Sequence, residues 1–293
     1  MNPVVVQIAS GNAFFIGLGL TIASFALRLW LNSRIGVSLL TLGWLAGISL
    51  VILSATPMSW FFYGLWFAFC LAVRIAFAGQ RPFTLKAAAV IAFAVLSLSL
   101  CLAELPYRWS RPVTVSVRQP VYVLGDSISA GIGGKERVWP AVLGDLSHLK
   151  VTNLARAGAT VETAVVEADG IQTTNALVII EIGGNDLLGH TDAQTFYRQL
   201  DQLLGKLKQG KNRLLMFELP LLPFWNAFGS AQRTLAAKHG ATLIPKRYLA
   251  GVFGAKGATL DGLHLSQQGH NQLAKAVLDQ LRIEAPIASG VSR

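Results

Sequence analysis

Acidic residues are missing from the first third of this chain. Before Glu104 there is no Asp and no Glu, and the only basic residues are Arg28, Arg34, Arg74, Arg81 and Lys86. So little charge excludes an ordinary soluble surface for this part. Cysteine is scarce as well: Cys70 and Cys101 are the only two, both in apolar segments, so no disulfide holds the rest of the chain. Their absence elsewhere leaves the compartment open, because an oxidising one permits disulfides without requiring them. Dense basic runs with interleaved aromatics are lacking. Residues 1–110 carry six Lys/Arg and one acid and residues 111–293 carry nineteen and fourteen, so each part supplies +5 of the formal charge of +10. That is a solvated basic surface with weak attraction for anionic lipid headgroups, and no nucleic-acid partner is expected. No metal-ligand cluster stands out. The glycine-rich run Gly131-Ile132-Gly133-Gly134 lacks the Lys-Ser/Thr of a phosphate-binding loop, so neither metal nor cofactor is expected.

What is present falls into two unlike parts. Four apolar stretches lie near Asn12–Leu31, Gly36–Ser54, Trp60–Phe77 and Leu85–Leu102. Each approaches the ~20 residues that cross a hydrocarbon core, and none has the polar face of a soluble helix. A cleaved signal peptide does not fit, since a basic leading region is lacking and three further apolar stretches follow. Arg28 and Arg34 flank the first connection, and Arg74, Arg81 and Lys86 the third. The positive-inside rule then puts these two connections in the cytoplasm and both termini outside. Arg108, Arg111 and Arg118 follow the fourth stretch and count the other way. The domain plan read from this is a helical transmembrane region over 1–103, a linker over 104–119, a catalytic domain over 120–285 and a tail over 286–293. In the linker, Pro106 and Pro112 discourage helix continuation, while Tyr107 and Trp109 suit a membrane–water interface.

Beyond the linker, apolar runs alternate with amphipathic ones. Strands are expected at Val121–Leu124, Val151–Leu154, Leu177–Ile182, Leu214–Glu218 and Ala241–Ile244. Helices are expected at Trp139–Leu146, Val161–Ala168, Ala193–Lys208, Ala227–His239 and Gln267–Ile283. This alternation predicts an α/β domain with a parallel sheet covered on both faces, whose ligands bind beyond the carboxyl ends of the strands.

Four short blocks sit at such ends or in loops. Gly125-Asp126-Ser127 follows the first strand and supplies a nucleophile candidate, Ser127, where a helix begins. Gly158 follows the second, and a glycine lets a backbone N–H approach a substrate oxygen. Gly183-Gly184-Asn185-Asp186 follows the third, with the Asn185 amide as a further donor. In Asp261-Gly262-Leu263-His264, a carboxylate three residues before an imidazole can hold Nδ1 and leave Nε2 for a serine. Each block alone is ordinary: a helix cap, a turn, an Asx turn, a surface loop. Other histidines compete. His148 and His239 precede strands, at the wrong sheet end; His270 lies in the last helix and reads as a surface or packing residue. His190, with Asp192 nearby, follows the third strand and remains a rival on position alone.

Taken together, the blocks resemble the SGNH (GDSL) hydrolase family over roughly Pro120 to Leu281. Gly125-Asp126-Ser127-Ile128-Ser129-Ala130-Gly131 with Trp139-Pro140-Ala141 is similar to its bacterial thioesterase/lysophospholipase branch, as are Glu181 to Leu187 and Asp261 to Ser266. The resemblance implies a flavodoxin-like three-layer fold without metal and activity on esters or thioesters. It also selects Ser127, His264 and Asp261 as the catalytic triad, with Ser127, Gly158 and Asn185 as the oxyanion hole. Asp186 is read as a loop residue, and Glu181 and Glu218 as pocket-lining or structural. The helical region departs from that branch.

The expected function is a membrane-anchored serine esterase of a bacterial inner membrane, its catalytic domain on the periplasmic or extracytoplasmic side. Its partners are membrane lipids and an ester or thioester substrate, a lipid or an acylated glycan among the options. Two rivals stand beside it: an O-acyltransferase of a cell-envelope sugar or lipid using the same residues, and a non-catalytic membrane binding protein.

Overall fold

The computed structural model describes residues 2–284; the tail expected at 286–293 lies outside the described residues. The chain divides into two compact units. One comprises Gln7–Arg108 and Leu221–Ser230. The other holds Trp109–Pro220 and the chain from Ala231 on, with the short N-terminal stretch ending at Val6.

The first unit is helical. Its helices are α2 (Asn12–Leu27), α3 (Arg34–Leu53), α4 (Trp60–Ala78) and α5 (Phe83–Glu104), preceded by the short helix α1 (Pro3–Ala9), of which only the end from Gln7 falls in this unit. Helices α1 and α2 meet at a 90° bend. Gly11 makes that bend, at φ 78°, a left-handed conformation open to glycine. The stretch expected over Asn12–Leu31 is shorter as a helix: α2 ends after 16 residues, where Arg28 bonds the Leu31 carbonyl and Asn32 Oδ1, both at 3.0 Å. Among the described residues, three helices, Arg34–Leu53, Trp60–Ala78 and Phe83–Tyr107, are long and apolar enough to cross a membrane, or four if the bent pair is one span. Their outward faces are apolar: Ile35 is 76 % exposed and Leu102 65 %. A soluble bundle would present polar residues there. Inside, Phe14, Leu18, Trp66 and Phe93 pack together, and Trp66 Nε1 donates to Ser97 Oγ at 3.0 Å. The segment 221–230 belongs to this unit: Asn226 Nδ2 donates at 2.8 Å to the Thr56 carbonyl, which also accepts the Tyr63 hydroxyl at 2.8 Å.

The second unit is an α/β domain. Strands β2 (Val121–Gly125), β3 (Val151–Asn153), β4 (Leu177–Glu181), β5 (Arg213–Phe217) and β6 (Thr242–Ile244) form an all-parallel five-stranded sheet in the order β3-β2-β4-β5-β6. Every residue of β2 and β4 is buried, the signature of a sheet covered on both faces. Val121, Val123, Ile179, Leu215 and Phe217 pack with Trp139 and Leu143 of α7 (Trp139–Ser147) and with Leu273 and Val277 of α13 (Gln267–Leu278). On the other side lie α8 (Val161–Glu167) and α10 (Ala193–Gln209), which pack on one another and against β2 and β5 respectively. The strand order reverses beside β2, the switch point where such sheets bind ligands.

Several elements depart from expectation. The last helix stops at Leu278, and Leu281–Glu284 is a strand, β7. It pairs in parallel with β1 (Val113–Ser116), which falls within the stretch read as linker. A further helix, α12 (Lys246–Gly254), follows β6 with Leu249, Val252 and Phe253 buried.

Candidate active site

The end of β2 is shaped by close packing. A Cβ on Gly125 would meet Ser129 Oγ at 2.6 Å and the Glu181 carbonyl at 2.8 Å, so only glycine fits where β2 meets β4. Asp126 then caps the short helix α6 (Ser127–Ala130), its Oδ1 accepting the Ile128 N–H at 2.9 Å. Ser127 is the first residue of that helix and is partly exposed, while Asp126 is buried. Neither its N–H nor its hydroxyl has a hydrogen-bond partner among the described residues.

The loop after β3 comes alongside. The Leu154 and Arg156 N–H groups donate to the carbonyls of Val123 (2.8 Å) and Gly125 (3.0 Å). Asn153 Nδ2 reaches the Ser129 carbonyl at 2.9 Å. Gly158 is exposed at φ 77°, with open space around the position of a Cβ. Asn185, in α9 (Gly184–Leu188) beyond β4, donates its side-chain amide to the Ala159 carbonyl at 2.9 Å. That bond joins the Gly158 loop to the Asn185 loop. Asp186 is buried and accepts the Val161 N–H at 3.0 Å, tying the same two loops together as a structural residue.

His264 and Asp261 sit in a tight loop before α13. The loop is closed by a bridge between Thr259 and Leu265 and by the Leu260 N–H on the His264 carbonyl at 2.8 Å. Asp261 Oδ2 lies 2.7 Å from His264 Nδ1, and Oδ1 accepts the N–H groups of His264 (2.8 Å) and Leu263 (3.0 Å). The bond from His264 and the two backbone donors hold the Asp261 carboxyl well below the usual carboxylate range. Nε2 of His264 is left for another partner. Burial raises the carboxyl of Asp126, the neighbour of Ser127, to about 6, against the pull of the Ile128 N–H and of His264. No hydrogen bond links Ser127 Oγ to His264 among the described residues. Such bonds are often long before substrate binds.

The competing residues are occupied or remote in role. His239 Nε2 lies 2.5 Å from Asp201 Oδ1. Asp145, the spaced partner of His148, is bound by Arg137 at 2.7 Å. His270 is a core residue, its Nδ1 accepting the Trp139 N–H at 3.2 Å, and burial lowers its affinity for a proton. His190 is exposed in a left-handed conformation at φ 60°. Glu218 is structural: it pairs with Arg233 at 2.6 Å and accepts the Lys246 N–H at 3.3 Å. Among the described residues no three His, Cys, Asp or Glu side chains are grouped to hold a metal ion. Reading the sequence missed how Asp126, Glu181 and Ser129 join behind Ser127; the only available signal was an apolar strand ending in glutamate.

Comparison with known proteins gives the family of the α/β part. Residues 123–272 match the GDSL-like Lipase/Acylhydrolase family. The esterase TesA of Pseudomonas aeruginosa is 29% identical over 179 residues, covering 56% of this chain and 88% of that protein. Thioesterase 1/protease 1/lysophospholipase L1 of Escherichia coli is 27% identical over 157 residues, covering 47% and 76%. A solved TesA structure superposes with a TM-score of 0.51 at 27% identity, covering 56% of this chain and 98% of that one. The psychrotrophic esterase EstA from Pseudoalteromonas sp. shares the fold, with a TM-score of 0.51 at 20% identity over 55% and 96%. With its flavodoxin-like strand order and this match over half its length, the chain belongs to the GDSL-like lipase/acylhydrolase family, the SGNH-type hydrolases that act on ester bonds.

Proposed function

We propose that the protein is a membrane-anchored serine esterase or thioesterase, with helices within 1–103 as anchor, 104–119 as linker and 120–285 as catalytic domain. Ser127 is the nucleophile, His264 the base and Asp261 its orienting carboxylate. The Ser127 and Gly158 N–H groups and the Asn185 amide receive the oxyanion. Ser127 Oγ attacks the acyl carbon as its proton passes to His264 Nε2, and the developing oxyanion is held by the three donors. Collapse breaks the bond to the alcohol or thiol, which leaves with the proton from His264. Water then attacks the acyl-enzyme, gives its proton to His264 and releases the acid, restoring Ser127.

The observation that carries this reading is the grip of Asp261 on its loop, three donors on one carboxylate, which engages the imidazole through Nδ1 and leaves Nε2 without a hydrogen bond among the described residues. The relatives support esters and thioesters as the substrate class. The apolar helices support anchoring, and the basic connections support an extracytoplasmic site.

Hydrolysis of p-nitrophenyl esters from acetyl to palmitoyl by the full-length protein tests the reading. Ser127→Ala is expected to lower kcat by about 10⁴-fold or more with the fold retained. Undiminished turnover in that variant removes Ser127 from the mechanism. Acyl transfer to an added sugar or lipid in preference to water identifies a transferase instead.

A further inference from the structure

Behind Ser127 the domain buries a set of polar groups that the reaction above does not use. Asp126 is 3 % exposed and Glu181 2 %. Gly125 and Glu181 are partners across the β2–β4 ladder, which sets Asp126 beside Glu181, and the Asp126 N–H donates to the Glu181 carbonyl at 3.2 Å. The two buried carboxyl groups are close enough for each to act on the protonation of the other. Two neighbouring carboxyl groups away from water resist ionising together, so the pair favours a state with one proton.

The connections show which group holds it. Asp126 Oδ1 accepts the Ile128 N–H, so Asp126 serves as an acceptor. Glu181 Oε2 accepts the Ser129 hydroxyl at 2.8 Å, whose oxygen in turn takes the Trp139 Nε1–H at 3.1 Å. That leaves the second oxygen of Glu181 outside these bonds, and Glu181 as the better holder of a proton. Burial and the Asp126 charge push Glu181 well above the glutamate range. Burial raises Asp126 to about 6, with the Ile128 N–H and His264 pulling down and Asp186 pushing up. Glu162 in turn acts on Asp186. The pair therefore carries one negative charge, centred on Asp126, next to Ser127 and within the field of His264.

We propose, on the serine-esterase reading above, that Asp126 and Glu181 form a proton-sharing pair that positions Ser127 at the start of α6. Its single charge, alongside that of Asp261, stabilises the His264 imidazolium that forms when Ser127 attacks. The shared proton stays within the pair; the transferred proton is that of Ser127. Asp126 and Glu181 are thus positioning residues that act through Ser127 and His264.

The test is kcat, KM and the pH profile of kcat/KM for the full-length protein and four variants, with near-UV circular dichroism to follow folding. Asp126→Asn is expected to lower kcat about 10- to 100-fold with KM little changed. It also moves the acid limb to lower pH, because a neutral neighbour makes imidazole protonation harder. Glu181→Leu removes the shared proton and loses activity similarly, and Glu181→Gln, whose amide N–H replaces that proton, restores most of it. Native kcat with an unmoved limb in Asp126→Asn overturns the proposal, as does a folded Glu181→Gln as impaired as Glu181→Leu. Should Asp126→Asn fail to fold, the Gln-against-Leu contrast at Glu181 decides. Turnover persisting in Ser127→Ala overturns the underlying esterase reading; its loss beside a native-like Asp126→Asn overturns this inference alone.

Discussion

Asp126 and Asp261 stand at opposite ends of the carboxylate scale, within one site. Asp261 is lowered by its bond from His264 and by two backbone donors, so the stability it lends is present above its unfolded range and is lost as pH falls. Asp126 is raised by burial to about 6, so the fold prefers its protonated form. That stability is complete below about pH 4 and is lost as pH rises through about 6. An ionised Asp126 is thus kept at a cost to stability, as strained functional sites often are. Asp126→Asn is expected to raise the melting temperature of the α/β unit by several degrees at pH 7.5 and to leave it unchanged at pH 4. Melting curves at the two pH values check this, and equal shifts at both would contradict the burial argument. The sequence showed Asp126 only as part of Gly-Asp-Ser; its burial depends on β4, some fifty residues further on.

At the scale of elements, spacing alone served well where an element buries one long stripe. Helices α7, α8 and α10 end within a residue or so of their expected bounds. It misled at α13, where Leu273, Val277 and Leu281 recur at helical spacing, yet Leu281 belongs to β7 and pairs with Val113. A distant partner strand decided that, and no local period reports it. In the helical unit, α2 and α3 approach so closely that a Cβ on Gly17 would meet the Gly47 carbonyl at 2.6 Å, and one on Gly47 the Gly17 carbonyl at 2.8 Å. Small residues at such crossings let backbones touch where lipid offers no hydrophobic drive. Gly47→Val is expected to destabilise this unit by roughly 1–3 kcal/mol through overpacking. Thermal unfolding in detergent, read by proteolysis of the α2–α3 connection, would show it. Unchanged resistance would mean that α2 and α3 are not closely packed.

For the whole molecule, the absence of acids before Glu104 and the apolar outward faces of α3, α4 and α5 point to lipid as the surrounding medium. The protein is expected to stay in the membrane fraction through an alkaline carbonate wash. A C-terminal alkaline phosphatase fusion is expected to be active, and a fluorescent-protein fusion that folds only in the cytoplasm to be dark. The reverse pattern would put the catalytic residues in the cytoplasm. The proposed orientation rests on the basic connections, since the positive-inside rule would put Arg28, Arg34, Arg74, Arg81 and Lys86 on the cytoplasmic side.

The sequence by itself determined the apolar N-terminal helices, the parallel α/β class and the family, because these rest on composition, period and short blocks whose residue types the chemistry requires. It also placed Ser127, Gly158 and Asn185 at strand ends, since a parallel strand must turn where its apolar run stops. Only the tertiary structure decided that Asn185 bonds to the Gly158 loop, that His270 is buried against Trp139, and that Glu181 meets Asp126 behind the serine. Those contacts join residues far apart in the chain through the lateral order of the strands, β2 beside both β3 and β4. Strand order is set by packing across the whole sheet, which no local stretch of sequence encodes.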